Sequence, residues 1–235
     1  TASNLLCFSD TGSIILTVNG GTPNYSFLWN NGAITQNLNG VGAGNYSITI
    51  LDANNCELIE NIIFTDPDEI VLTPIITDLH CFEDGTGAIS ITTNGGTSPY
   101  DFLWDSGDTT EDLSGLSAGN YELFITDVNN CEYNESFLVE QPDLFETDVM
   151  GVTHIDCFGN DNGSIDLQVT GGTSNFTYDW DSGQTTSIIN NLSPGIYIVT
   201  AKDANQCQFT DQAEILEPDE LILSLISITH VECEG

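Results

Sequence analysis

The chain repeats itself, and the length of the repeat limits what each unit can become. The first cysteines of successive units stand at 7, 81, 157 and 233, spaced 74, 76 and 76 residues apart. The second cysteines, 56, 131 and 207, follow them by 49, 50 and 50. Between them the same words recur: GSIILTVNGGTPNYSFLWNNG, GAISITTNGGTSPYDFLWDSG and GSIDLQVTGGTSNFTYDWDSG. A period of about 75 residues exceeds that of a solenoid unit and matches a small self-contained domain. Proline-bearing joints (TDPDEI, EQPDLF, EPDEL) separate the units. The reading is three domains and the start of a fourth: 1–67 with a truncated strand A, 68–142, 143–218 and 219–235.

Every unit reads as β. Short runs rich in Ile, Val, Thr, Tyr and Phe alternate with Gly and Asn, and no stretch holds a helical period. About seven short strands with turn signals every 8 to 12 residues predict an all-β fold of tandem immunoglobulin-like sandwiches in a linear, rod-like array. In the second repeat the strands fall at 70–78, 87–94, 100–105, a D/E region at 109–116, 120–127 and 132–140. Trp29, Trp104 and Trp180 take the strand C position, where this architecture buries an indole. Tyr46, Tyr121 and Tyr197 open strand F as a tyrosine corner does. These aromatics are also the residue type of a sugar-stacking platform, but one Trp per repeat in an alternating strand points to the core.

Charge narrows the partners. One cation, Lys202, faces 36 acidic residues, a net charge of −35. Phosphate binding needs a basic footprint, so nucleic acid is excluded as a partner, and anionic membrane surfaces are disfavoured. The charge serves solubility and self-repulsion between neighbouring filaments. No apolar run is long enough for membrane insertion. The chain opens at TASNLLC without an initiating methionine and reads as a window from a longer mature protein. Single, regularly spaced cysteines outside CxxC or CxxH spacing argue against zinc and for an oxidising, extracellular setting.

With C-F-x(4,5)-G-S/A-I, GGT-x-x-Y/F-x-F/Y-x-W-x-x-G, L-x-A/P-G-x-Y and D-A/V-N-x-C in that order, the sequence resembles the SprB repeat family over nearly its whole length. The resemblance implies a very long cell-surface adhesin of Bacteroidetes, of the kind moved in gliding motility and exported by type IX secretion. It implies no catalytic residues. It also makes Thr109, in the DTT at 108–110, a weak candidate for the O-glycosylation of that phylum. The expected function is a structural and adhesive segment of an extracellular filament. Its partners are neighbouring repeats of the same chain, with surface glycans or other filaments as further candidates. The alternative is a glycan-binding module, or the stalk of a secreted polysaccharide-degrading enzyme. Asp and Glu abound, but near-identical units without a unique motif argue against a single active site, so the chain is read as no enzyme.

The cysteines admit two pairings. Pairing within a repeat (7–56, 81–131, 157–207) is the common arrangement in small domains. Strand order favours pairing between repeats, because the A–B and F–G turns lie at opposite poles of a sandwich. A strand of seven residues spans ~23 Å, and a disulfide needs Cα atoms within roughly 4.4–6.8 Å. In a tandem chain those poles of successive domains face each other. That brings Cys7 near Cys131 and Cys81 near Cys207, and leaves Cys56, Cys157 and Cys233 to repeats outside the window. The same turns carry Asp10, Asp84, Asp161, Asp52, Asp127 and Asp203, oxygen ligands of the type Ca²⁺ takes. The alternative role for these Asp is turn formation. His80, His154 and His230 occur once per repeat, a domain apart, and form no single metal site.

Overall fold

A computed structural model describes residues 5–228, and among them every regular element is a β-strand. Two compact units divide the chain: Thr1–Thr77 with Gly87–Val139, and Asp78–Thr86 with Glu140–Gly235.

The first unit holds two sandwiches. In the first, β1 (Gly12–Ile14) pairs with β3 (Leu38–Val41), and a second sheet runs β2 (Ser26–Trp29), β4 (Gly44–Leu51), β5 (Glu57–Phe64). In the second, β6 (Val71–Thr77), β7 (Gly87–Asn94) and β9 (Leu113–Leu116) form one sheet. Its other sheet is β8 (Tyr100–Trp104), β10 (Gly119–Asp127) and β11 (Glu132–Val139), with β10 central. The second unit repeats this order. There β12 (Glu146–Thr153), β13 (Gly163–Thr170) and β15 (Ile188–Leu192) face β14 (Thr177–Trp180), β16 (Gly195–Lys202) and β17 (Gln208–Ile215). All pairings are antiparallel. This A-B-E on G-F-C arrangement is the immunoglobulin-like sandwich.

Each complete sandwich has six strands rather than seven. The D/E region supplies one strand because residues 105–112, DSGDTTED, turn instead of pairing. Gly107 takes φ +92°, and the buried Trp104 indole donates to Thr110 O at 2.8 Å. The same indole bond recurs from Trp29 to Thr35 O (2.8 Å) and from Trp180 to Thr186 O (3.0 Å). All three indoles are 1–2% exposed, so the polar N–H of each buried ring has a partner.

Period-2 alternation sets the inner faces. The central strands send Ile48 and Ile50, Leu123 and Ile125, and Val199 and Ala201 inward, all buried. In the third sandwich Val199 meets Ile165, Leu167, Trp180 and Ile189, and Ala201 clusters with Phe145 and Cys207. In the first, Ile48 and Ile50 meet Ile14, Trp29 and Leu38. Tyr46, Tyr121 and Tyr197 each donate from Oη to the carbonyl four residues upstream (Gly42, Ser117, Ser193) at 2.9 Å. These bonds fix the corner where the chain enters the central strand.

Candidate functional site: the joint turns

The joint is built at the end of the central strand. After the two inward apolar residues, alternation aims the next side chain at the same face, and that residue is Asp52, Asp127 or Asp203. A carboxylate there must be hydrogen-bonded. Asp127 Oδ1 accepts the backbone N–H of Asn129 (2.8 Å) and Cys131 (2.9 Å), and Oδ2 accepts Thr97 N–H (2.9 Å). Asp52 does the same with Asn54, Cys56 and Thr22. Asp203 accepts from Cys207 and Thr173, both at 2.8 Å. The residue before the cysteine (Asn55, Asn130, Gln206) takes φ +61° to +68°, which closes the turn. The D-A/V-N-x-C word is therefore a turn whose acid ties two segments together, its own turn and the GGT loop.

The cysteines themselves reach into the preceding repeat's turn. Cys7 bonds Cys131 (Cα–Cα 5.5 Å), and Cys81 bonds Cys207 (5.6 Å). Cys56 and Cys157 are free and exposed; Cys233 and His230 lie outside the described residues. Amide bonds back the disulfides. Asn129 Nδ2 donates to Leu6 O at 3.4 Å, and Asn205 Nδ2 donates to His80 O at 2.8 Å. His154 Nδ1 accepts Leu216 N–H at 3.2 Å.

The GG pairs of the second and third GGT words sit at the same place. Gly96 N–H donates to Asp68 O (2.8 Å), and Gly172 N–H to Asp143 O (3.0 Å). A Cβ on Gly95 would stand 1.8 Å from Glu69 O, and one on Gly171 1.8 Å from Leu144 O, at φ +75° and +64°. No side chain fits there, so the joint backbone lies directly on the glycine. Joint acids and amides hold the other turn. Ser9, Glu83 and Gly159 donate their N–H to Asp66, Gln141 and Glu217 at 3.0–3.2 Å. Each anchor is the residue directly before the joint proline (Pro67, Pro142, Pro218).

The six candidate calcium ligands are thus dispersed over separate tasks. Asp84 accepts Cys81 N–H, Thr86 N–H and Thr86 Oγ1 within its own turn. Asp161 accepts Ser193 Oγ at 2.6 Å, and Asp10 is exposed beside a cavity of about 370 Å³ whose walls include Cys7, Phe8 and Tyr133. Among the described residues no group of three or more His, Cys, Asp or Glu side chains converges as a metal would need. Electrostatics follow the hydrogen bonds. The Thr22 N–H leads the contacts that hold the Asp52 carboxyl below its ordinary pKa. Burial pushes Asp127 up, but the N–H groups of Cys131, Thr97 and Asn129 outweigh it and the net direction is down. Burial, then Glu135, raises Tyr133, whose hydroxyl donates to Glu135 Oε2 at 3.1 Å. Thr109 is exposed in the β8–β9 loop.

The SprB repeat family profile matches residues 1–34, 73–109 and 152–185, the leading part of each unit. No curated protein matches the chain. Among solved structures it is similar to the N-terminal eight immunoglobulin domains of Down syndrome cell adhesion molecule. The identity is 12%, the TM-score 0.34, and the match covers 88% of this chain and 34% of that one. The immunoglobulin domains 1–5 of Sidekick-1 give 12% identity and a TM-score of 0.28, over 88% of this chain and 57% of that one. The amphioxus IgVJ-C2 molecule gives 11% and 0.29, over 60% and 100%. The chain spans about a third of the first of these structures.

Proposed function

For a chain that carries three SprB repeats, we propose a structural and adhesive role: a stiff segment of a long extracellular surface filament. The filament extends a binding tip, or binds surfaces itself through many weak copies whose contacts add in avidity. The observation that carries this reading is the joint. The same device of disulfide, glycine contact and amide bond occurs in two successive joint turns, which is what a spacer needs to resist bending. Buried tryptophans favour a spacer over a glycan module, because their rings face the core and leave no stacking surface there. The strongly acidic surface keeps neighbouring filaments apart. Gliding motility, type IX export and an outer-surface location belong to the same reading and follow the family resemblance.

Small-angle scattering tests the spacer. The oxidised chain is expected to give an extended profile with a narrow range of dimensions, and reduction followed by alkylation is expected to broaden that range. A compact profile, or one indifferent to reduction, would sink the proposal. Hydrolysis of a polysaccharide by the purified chain would replace the structural reading with an enzymatic one.

A further inference from the structure

The two joints share one plan and are filled differently. Each lies within one compact unit: Cys7, residues 66–70 and Cys131 in the first, Cys81, residues 141–145 and Cys207 in the second. At the second joint the space beside the disulfide is packed. Phe145 is 6% exposed, stacks on Phe176 (ring centroids 5.7 Å apart) and clusters with Cys207, and Phe209 packs alongside. At the first joint the smaller Ile70 stands where Phe145 does, and Tyr133 where Phe209 does. There the cavity of about 370 Å³ opens beside Cys7 and Cys131.

The walls of that cavity differ in charge as well. Asp68, Glu69 and Glu132 line it, where the second joint carries Asp143, Leu144 and Gln208. Asp10 adds a fourth acid. Among the described residues no hydrogen-bond or ion-pair partner meets any of these four carboxylates. Much of the remaining wall is apolar: buried Ile70, the disulfide, the half-buried Tyr133 and Phe8, 48% exposed. The Tyr133 hydroxyl is already taken by Glu135 at 3.1 Å, and Glu69 is near enough for its charge to act on it.

This mixture selects its ligand. The four carboxylates do not converge as a metal ion needs. An apolar wall favours buried carbon, and exposed acids favour a positive head. A primary ammonium on an aliphatic stem offers both. The first unit has no such group of its own, because the one Lys or Arg among the 235 residues is Lys202, in the second unit.

We propose that the cavity of the first joint is a docking pocket for a lysine side chain of a partner protein. The stem lies against Ile70, the disulfide and Tyr133, and Asp68, Glu69 and Glu132 hold the ammonium. A net charge of −35 draws basic proteins from a distance, and the pocket turns that attraction into a contact at one place. The second joint, filled by Phe145 and lined by Leu144 and Gln208, takes no such group. The pocket deepens the adhesive reading above by naming what one joint grips. It can fail while the scattering profile stays that of a spacer.

The test titrates the oxidised 235-residue chain with the peptide acetyl-Ala-Ala-Lys-Ala-Ala-amide and follows amide NMR shifts. Saturable shifts are expected at Ile70, Gly96, Cys131 and Tyr133, with affinity falling as salt rises. The same peptide with its lysine Nζ acetylated is expected to give none. Three substitutions give the first joint the residues of the second: Ile70→Phe fills the cavity, while Glu69→Leu and Glu132→Gln remove charge. All three are expected to keep the circular dichroism and the Cys7–Cys131 bond. Ile70→Phe abolishes the saturable shifts, and each acid substitution weakens binding about fivefold. Asp179→Asn, at an exposed acid of the third sandwich, leaves affinity unchanged. No saturation at the joint, an equal response to the acetylated peptide, or an equal loss in Asp179→Asn would overturn the proposal. Binding of free cadaverine without binding of the peptide would overturn it too, since the pocket would then serve a free amine.

Discussion

The first and third sandwiches carry the same words and differ in how those words are covered. Asp203 is 1% exposed and Cys207 9%; Asp52 is half-buried and Cys56 exposed. Gly171 has a carbonyl 1.8 Å from its Cβ direction, and Gly20 has nothing within 4 Å. The turn forms in both, because Asp, Asn and the αL residue are local. What the third sandwich adds is the joint backbone seated on the glycine and the preceding turn bonded to the cysteine. The motif therefore does two jobs, one folding the hairpin and one receiving a neighbour, and only the second depends on what lies alongside.

The largest expected contrast lies in the disulfide. Cys207→Ser opens a loop of 126 residues, and the chain-entropy account puts its cost at about 5 kcal/mol. Cys56→Ser is expected to leave stability unchanged, since Cys56 is free. Hydrogen exchange read sandwich by sandwich checks both; equal effects would erase the contrast. Next comes the glycine. Gly171→Ala is expected to cost roughly 2–5 kcal/mol, adding a collision with backbone to αL strain. Gly20→Ala meets open space and costs only the strain, about 1–2 kcal/mol. Chemical denaturation with the same local readout separates them.

A smaller difference is expected from the acids. Asp203→Ala strands buried N–H groups and costs about 1–3 kcal/mol per unsatisfied donor, whereas Asp52→Ala leaves its donors within reach of water and costs less. The smallest effect is that of pH. Asp52 and Asp127 have folded-state pKa values below their unfolded value near 3.8. Each therefore binds its proton more readily when unfolded, and the stability it adds is fully present above that value. It is lost as pH falls below 3.8 and through the folded pKa. An acid titration of the melting temperature should steepen in that window, and Asp127→Asn should flatten it; a slope confined to neutral pH would contradict the assignment.

Much of this was legible because the repeats permit comparison within one chain. The strands of the second repeat, expected at 70–78, 87–94 and 132–140, run Val71–Thr77, Gly87–Asn94 and Glu132–Val139, since alternation of apolar residues is a local signal. The missing seventh strand was not legible, because DSGDTTED carries turn residues that fit either a short strand with turns or one long turn. The anchors Asp66, Gln141 and Glu217 stand directly before the joint prolines, 75 and 76 residues apart, but the backbone N–H groups they accept from lie 57 or 58 positions away, so their task was not legible.

The sequence by itself determined the period, the β character, the alternation that drives Trp104 and Trp180 into the core, and the acid that closes each F–G turn. These rest on neighbours a few residues apart, or on a pattern repeated three times. Only the tertiary structure decided which cysteine meets which, why Gly95 and Gly171 have no room for a side chain, and that Asp127 serves backbone N–H groups from two segments. Those facts depend on residues 26 to 126 positions apart. Spacing left two disulfide pairings open, and the separation of the poles of a sandwich, a distance in space, chose between them.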